Sequence, residues 1–173
     1  MFNHTNLNGR VAVVTGGGGV LCGGFAKDLA RQGVKVAVLD LRLDAAQKVA
    51  DEIIAEGFEA IGVACNVLEK ESLETARAEI NEKIGKCDIL INGAGGNHPS
   101  GNTTKEKFQM GDLEATEDIK TFFDLDPKGI EFVFNLNFLG TLLTTQVFAK
   151  DMVGNENATI INISSMNSYK PLT

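Results

Sequence analysis

The feature that most constrains this chain is its glycine run, VAVVTGGGGVLCGG, at residues 11–24. An apolar run breaks there into four consecutive glycines and then resumes in a helical pattern. Glycine inside a helix or strand costs roughly 0.5 to 1 kcal/mol relative to alanine, because its unfolded backbone has more freedom to lose. Six glycines in fourteen residues therefore indicate that side chains would not fit at this turn. We predict that another group approaches the backbone closely at this turn.

Short apolar runs alternate with helical patterns along the chain. The runs are rich in β-branched residues and almost continuously apolar, which is typical of strands buried on both faces. We predict five strands, at 11–15, 34–39, 59–64, 88–91 and 159–163. Apolar residues at helical spacing follow three of the strands, in the sets Leu21, Phe25 and Leu29; Ala46, Val49, Ala50, Ile53 and Ile54; and Leu73, Ala76, Ile80 and Ile84.

Capping signals mark the ends of these helices. Gly33, Gly57 and Gly85 stand where a left-handed residue is expected after a helix, and Asp44 stands where an N-cap is expected. A further, longer helix is predicted at about 129–153. Alternating strands and helices with short connections form right-handed βαβ units. The sequence therefore predicts an α/β fold with a doubly wound parallel sheet.

Composition and charge narrow the class of protein. The 173 residues are 43% hydrophobic and 23% charged, which predicts one globular domain over residues 1–173. A net charge of −7 disfavours nucleic acid and anionic membrane as partners, since both bind basic surfaces. No window approaches the eighteen or so apolar residues of a membrane span. We expect a small-molecule partner.

The cysteines point to the compartment. Cys22, Cys65 and Cys87 are odd in number, widely spaced and without a CxxC pair. This pattern argues against a disulfide framework and against a metal site. We interpret them as buried thiols in a reducing compartment and expect the protein to be cytoplasmic.

The glycine run predicts an anion site. A strand that turns through glycines into a helix presents free N–H groups and the positive end of the helix dipole at the carboxyl edge of the sheet. In a doubly wound fold, the pyrophosphate of a dinucleotide sits at the first such turn. We therefore assign cofactor binding to the turn residues Gly16, Gly18, Gly19, Val20 and Leu21. The GxGxxG spacing is nearly met, with Cys22 in place of the third glycine.

Two other strand ends extend this site. Asp40 ends the second strand, where a carboxylate accepts hydrogen bonds from both hydroxyls of an adenosine ribose and repels a 2′-phosphate. NAD is therefore favoured over NADP, although Arg42 would weaken this preference by pairing with a 2′-phosphate. Asn66 and Val67 end the third strand on the same edge and would frame an adenine ring. An ordinary turn explains these two residues equally well.

Together these residues resemble the short-chain dehydrogenase/reductase family. The family motif TGxxxGxG is similar to TGGGGVLC at 15–22, with Val20 and Cys22 replacing two glycines. The family motif NNAG is similar to NGAG at 92–95. The resemblance implies that Asn92, Ala94 and Gly95 line the cofactor cleft, and that the full-length protein is a dimer or tetramer.

The resemblance also implies the catalytic residues. Asn137, in NLNFLGT, corresponds to the family's active-site asparagine, and Ser165, in INISSM, to its catalytic serine. The serine would stabilise charge on a substrate carbonyl, and the asparagine would hold a proton-relay water. The family's YxxxK pair lies further along the chain; Tyr169 is followed four residues later by Thr173, so we do not assign it as catalytic. We expect the chain to be the N-terminal part of a longer enzyme and inactive by itself.

The segment at about 96–128 interrupts the alternation of strands and helices and exceeds what most of the family carries. In this respect the chain resembles the branch that acts on sugar acids, such as D-mannonate oxidoreductase and fructuronate reductase. The segment's polar residues would bind a polyol carboxylate, or they form a solvated surface insertion: Asn97, His98, Thr103, Thr104, Lys105 and Lys107.

Three functions stay open at this point. They are an NAD-dependent dehydrogenase acting on a secondary alcohol or ketone, a noncatalytic nucleotide-binding or sensor module, and a methyltransferase with a similar glycine loop. The motifs INGAGG and NISS favour the first over a methyltransferase.

Overall fold

The described residues form one sheet of five parallel strands. The structure, a computed structural model, describes residues 6–114 and 118–165. The strands are β1 (Val11–Thr15), β2 (Lys35–Asp40), β3 (Ala60–Ala64), β4 (Ile89–Asn92) and β5 (Thr159–Asn162), in the order β3-β2-β1-β4-β5. The helices are α1 (Val20–Arg31), α2 (Leu43–Ala55), α3 (Lys70–Lys83), α4 (Pro127–Phe134) and α5 (Gly140–Met152).

Helices cover the sheet on both faces, so the predicted doubly wound fold is confirmed. Alternate residues of β1 belong to different cores: Val11 and Val13 pack with residues of α3 and α5, whereas Ala12 and Val14 pack with residues of α1 and α2. Every residue of β1 is buried. A strand enclosed on both sides has no polar face, which is why the sequence pattern is continuously apolar.

The outer strands differ from the prediction. All four residues of β5 are exposed, and β3 is only partly buried. These are the two edge strands of the described sheet. Burial on both faces was therefore predicted correctly for the central strands and wrongly for β5, because an apolar run does not reveal which neighbours will cover it.

The face of α1 that packs on the sheet also differs from the prediction. Its buried residues are small: Cys22, Gly23, Ala26 and Ala30. The predicted Leu21 is 57% exposed. Small side chains bring α1 close to the sheet, and a β-carbon on Gly23 would lie 3.1 Å from the carbonyl oxygen of Gly17. The predicted faces of α2 and α3 are confirmed, apart from Ile54, which is exposed.

The capping signals were partly right. Gly33, Gly57 and Gly85 all have a positive φ, as predicted for residues just past a helix. Asp44 is not the N-cap: α2 begins at Leu43, with Arg42 as its N-cap and Asp44 in its first turn. An acidic residue there still interacts favourably with the helix dipole.

The predicted long helix is interrupted near its middle. It consists of α4, a π-helical segment at Asn135–Leu139, and α5. Contrary to the expectation from the sequence, one helical run within the described residues, Pro127–Met152, is long and apolar enough to cross a membrane, with a mean hydropathy of 1.3. In this fold the run packs on the sheet through the buried residues Thr144, Val147, Phe148 and Met152 of α5. A helix that packs on a buried sheet meets the same criterion of length and apolarity.

The long connection between β4 and α4 contains three short 3₁₀ helices, at Pro99–Gly101, Met110–Glu114 and Phe122–Asp124, and no strand among its described residues. Its two ends meet. The Asp126 N–H donates to the carbonyl of Ser100 at 3.0 Å, and Gly101 and Gly129 pack backbone against backbone. The connection is thus fastened to the start of α4.

Candidate active site

The turn after β1 brings its backbone into contact with the segment after β4. Gly16 has a φ of +65°, and a β-carbon there would lie 2.9 Å from the carbonyl oxygen of Gly93 and 3.0 Å from Ala94 N. Both conformation and space therefore require glycine at position 16. This is the close approach that the glycine run predicts, but the approaching group is the protein's own backbone.

The Thr15 side chain forms hydrogen bonds that stabilise this junction. Its hydroxyl accepts hydrogen bonds from the N–H groups of Gly93 and Ala94, both at 3.1 Å, and lies 3.4 Å from the carbonyl oxygen of Ile91 as a donor. The side chain is 1% exposed. One buried hydroxyl thus satisfies the two N–H groups that follow β4.

The N-terminus of α1 faces the same space. Its N-cap is Gly19, which supplies no side-chain cap, and its first turn carries no acidic residue. The first N–H groups of a helix lack intrahelical partners, and the dipole adds positive potential there. This end of α1 suits an anion.

Asp40 is tied to the glycine turn. Its Oδ2 accepts from the Gly18 N–H and its Oδ1 accepts from the Arg42 N–H, both at 3.2 Å. A β-carbon on Gly18 would lie 2.9 Å from Asp40 Oδ2 and 2.7 Å from Ala45 Cβ. The carboxylate therefore has a fixed place beside the turn, and only glycine leaves room for it.

These residues line one cleft of about 360 Å³. Most of the residues predicted to bind a cofactor are brought together in it: Gly16, Gly18, Gly19, Val20, Leu21, Asp40, Ala94 and Gly95. The cleft is also lined by Cys22, Arg42, Gly93 and Ile163. None of these four was assigned to cofactor binding from the sequence, although Arg42 was expected to modify the choice of cofactor.

Three predicted residues lie outside the lining of this cleft. Asn66 holds the turn into α3, since its Oδ1 accepts from the Leu68 N–H at 3.1 Å and its Nδ2 donates to Glu69 at 2.8 Å. Val67 is buried, with Cγ2 only 2.9 Å from a β-carbon built on Gly140. Position at a strand end therefore did not decide which side chains reach the cleft.

The third such residue, Asn92, is buried at the end of β4. Its Nδ2 donates to Asn162 Oδ1 at 2.8 Å and to Thr145 Oγ1 at 3.0 Å. These bonds join β4 to its neighbour β5 and to α5. The structure therefore gives this asparagine a role in assembling the sheet beneath the cleft.

A second and larger cleft, of about 720 Å³, adjoins the first. It shares Gly93, Ala94 and Gly95 with the first cleft, and Ile163 closes both. Asn137, on the π-helical segment, and Ser165, after β5, both line it, so the structure brings the two predicted catalytic residues to one cavity. Asn162, Ser164, Phe134 and Phe138 line it too. Tyr169 lies outside the described residues.

The polar residues of the long connection lie elsewhere, with one exception. Asn97 lines the second cleft. Lys105 donates to the nearly buried Asp112 at 2.6 Å, which holds the pKa of that carboxyl below its usual range. His98 packs against Phe132 with 5.1 Å between ring centroids, and its Nδ1 accepts from the Ser100 N–H. Lys105 and His98 thus stabilise the connection itself.

The three cysteines are free and buried. Burial raises the pKa of Cys22, raises that of Cys65 to about 11 and, with the nearby Asp151 and Asp88 carboxylates, raises that of Cys87 to about 12. All three are therefore neutral thiols near pH 7. Within residues 6–114 and 118–165, no group of three or more His, Cys, Asp or Glu side chains is placed to hold a metal ion.

Known proteins share this sequence and fold. The family model for short chain dehydrogenase matches residues 10–173. An uncharacterized oxidoreductase of Haemophilus influenzae is 55% identical over 171 residues, which cover 99% of this chain and 59% of that protein. The 7α-hydroxysteroid dehydrogenase of Escherichia coli is 30% identical over 168 residues, covering 96% of this chain and 58% of the enzyme. The chain thus spans about three fifths of the length of these relatives.

A solved structure agrees closely with the fold. A Haemophilus protein described provisionally as a D-mannonate oxidoreductase, with bound NAD, superposes with a TM-score of 0.91 at 53% identity, covering 96% of this chain and 59% of that one. The family model spans the glycine turn, both clefts and the strands that carry them. The chain belongs to the short-chain dehydrogenase family.

Proposed function

We propose that this chain forms the cofactor site and part of the substrate site of an NAD(H)-dependent oxidoreductase acting on a secondary alcohol or ketone. The observation that carries the proposal is the pair of adjoining clefts. One is built from a glycine turn, a helix N-terminus and Asp40, the other contains Asn137 and Ser165, and residues 93–95 form a wall of both. A hydride donor and its acceptor need this adjacency.

The residues of the first cleft fit a dinucleotide. Side chains at positions 16 and 18 would collide with Ala94 and Asp40, so glycine at both positions keeps the turn open. The N–H groups of residues 17–19 are bonded within the protein, which leaves those of the first turn of α1 for an anion. The N-terminus of α1 would hold the pyrophosphate, and Asp40 would accept hydrogen bonds from the ribose hydroxyls. A bound nicotinamide supplies or accepts the hydride.

NAD is proposed over NADP because Asp40 has a fixed place in the cleft, where its charge would repel a 2′-phosphate. Arg42 lines the same cleft and opposes this effect. Related structures with bound NAD or NADH support the choice, among them the Haemophilus protein and a 7α-hydroxysteroid dehydrogenase.

Ser165 and Asn137 are proposed as the catalytic residues of the second cleft. The Ser165 hydroxyl would donate a hydrogen bond to the substrate oxygen and stabilise the negative charge that develops on it. Asn137 would fix the backbone beside the substrate and hold water for proton transfer. Asn66, Val67 and Asn92 would act indirectly, by shaping the turns and strands around the clefts.

A sugar acid of the D-mannonate or D-fructuronate type is the proposed substrate, supported by the Haemophilus structure. Of the six polar residues predicted to bind it, Asn97 lines the second cleft, which supports a contact with this substrate. We also propose a single domain over residues 1–173, a homo-oligomeric full-length protein and a cytoplasmic location; free buried thiols are consistent with a reducing compartment.

Binding and turnover test the proposal separately. We expect NADH to bind with a clear increase in its fluorescence, and the active enzyme to reduce a keto sugar acid in preference to simple ketones. Failure to bind NADH would overturn the proposal. Binding without turnover of any ketone or alcohol in a panel would favour a noncatalytic nucleotide-binding or sensor module.

A further inference from the structure

A second steric contact exists where the glycine turn meets the end of β4. A β-carbon built on Gly93 would overlap the Sγ of Cys22 and would lie 2.9 Å from the carbonyl oxygen of Thr15. Gly93 does not have a positive φ. Its backbone would therefore accept an alanine, and what requires glycine at this position is space alone.

Cys22 is held firmly in this position. It lies in the first turn of α1 and is 5% exposed, packed in the core formed with α2. Burial keeps it a neutral thiol, so it acts as a small apolar side chain. The same core contains Ala12 and Val14 of the sheet, both without exposure, so the thiol has close-packed neighbours.

Two further contacts hold the Gly93 backbone in place. Its N–H donates to the Thr15 hydroxyl at 3.1 Å, and its carbonyl oxygen lies against Gly16. A side chain at position 93 would therefore displace Cys22 rather than β4. Since Cys22 belongs to the first turn of α1, that displacement would move the helix N-terminus as well.

We propose that Cys22 and Gly93 form an interlocking pair that sets the width of the first cleft, with the thiol filling the space that a side chain at position 93 would need. Both residues line that cleft. The pair thereby positions the N-terminus of α1 against residues 93–95. The part of this inference that concerns cofactor affinity rests on the function proposed above.

A double-mutant cycle tests the pair. Gly93→Ala should lower the melting temperature of the ligand-free protein by about 3 °C or more, as overpacking does. It should also weaken NADH binding about tenfold, in the range of couplings between residues in contact. Cys22→Ala alone should change both only slightly, because it leaves a small gap.

The double variant Cys22→Ala/Gly93→Ala should regain most of both losses. Recovery should be incomplete, because the Thr15 carbonyl still lies 2.9 Å from the new methyl group. If Gly93→Ala does not fold, recovery of folded protein in the double variant is the same result. If the double variant instead shows the sum of the two single-variant losses in melting temperature and NADH affinity, the residues do not interlock.

Two matched controls make the test specific. Gly95→Ala introduces a different collision, 2.6 Å from Asn137 Oδ1, which Cys22→Ala should not relieve. Gly24→Ala, on the exposed side of α1 with open space around it, should leave NADH affinity unchanged.

The two readouts separate the possible failures. If the double variant regains melting temperature but not NADH affinity, the pair does not set the width of the first cleft. If the parent protein does not bind NADH, the proposed function fails, and the role in cofactor affinity fails with it. The melting temperatures of the ligand-free variants would still decide whether the residues interlock.

Discussion

Asn137 and Gly96 are joined by two hydrogen bonds that run in opposite directions. The side-chain Nδ2 donates to the Gly96 carbonyl at 2.8 Å, and Oδ1 accepts from the Gly96 N–H at 3.1 Å. The same Nδ2 also donates to the Val133 carbonyl at 2.8 Å. One amide thus ties the segment after β4 to the π-helical segment and completes the wall between the two clefts.

Asn137→Ala should therefore release Gly96 as well as slow turnover. We expect the Gly96 amide to exchange hydrogen faster, because it loses its acceptor, and kcat to fall while NADH affinity changes little. Hydrogen exchange and steady-state kinetics measure the two effects. Asn135→Ala, in the same π-helical segment, is the control. Unchanged exchange at Gly96 would contradict the anchoring role.

Ser165→Ala should lower kcat/KM of the active enzyme by about 10²-fold or more, since a hydrogen bond to developing charge is lost. The affinity for NADH should stay the same, because Ser165 lines the second cleft and not the first. Ser164→Ala, one residue earlier in the same cleft, should cost less. Normal turnover by the Ser165 variant would refute the assignment.

Asp40→Ala should narrow the preference for NADH over NADPH. Loss of ribose hydrogen bonds should weaken NADH binding roughly tenfold, as expected for charge-assisted bonds. NADPH should lose less affinity, because a repulsive charge is removed. Titration of both cofactors gives the ratio, with the exposed Asp44→Ala as the control. Equal cofactor preference in the parent would mean that Arg42 dominates.

The ion pair between Arg77 of α3 and Asp151 of α5 should stabilise the packing of these helices. The Asp151 side chain is completely buried, and both Nε and Nη2 of Arg77 donate to its Oδ1. Arg77→Met should cost about 2 kcal/mol in the free energy of unfolding, because a buried carboxylate loses its partner. Denaturant unfolding measures the loss.

A matched exposed pair provides the comparison for Arg77. Lys83 pairs with Glu79 on the surface of α3. Lys83→Met should change the free energy of unfolding by about 0.5 kcal/mol or less. Equal losses in the two variants would show that burial of Asp151 is not the source of the effect.

Alkaline pH should destabilise the fold through its buried thiols. Burial raises the pKa of Cys65 to about 11 and of Cys87 to about 12 in the folded state, from an ordinary value of 9.0. The neutral thiols therefore contribute stability that is fully present below pH 9 and is lost as the pH rises toward 11 and 12. Melting temperatures measured between pH 8 and 11 should fall.

The variant Cys87→Ala tests whether this thiol contributes to the fall in melting temperature at alkaline pH. The variant should be less stable at every pH because it leaves a cavity, but its melting temperature should depend less on pH above 9. If the melting temperature of the variant falls with pH as steeply as that of the parent, other groups cause the loss of stability at alkaline pH.

Local sequence patterns were sufficient to predict the parallel α/β architecture. Continuous apolar runs such as Val11–Thr15 suit strands covered on both faces, and the spacing of Leu73, Ala76 and Ile80 suits a helix with one buried face. Both features are local: one is a short apolar run, and the other is a spacing of three and four residues. They can be recognised without any knowledge of contacts between distant residues. The glycine turn and Asp40 were predicted in the same way, from their places at strand ends.

Which residues reach the clefts depends on packing between distant parts of the chain. Asn66 and Asn92 satisfy their amides within turns and strands, whereas Cys22 and Gly93 meet across 71 positions of sequence. The exposure of Leu21 and of β5 likewise depends on what packs beside them. Contacts between distant residues depend on how helices and strands pack, and no local period in the sequence records that packing.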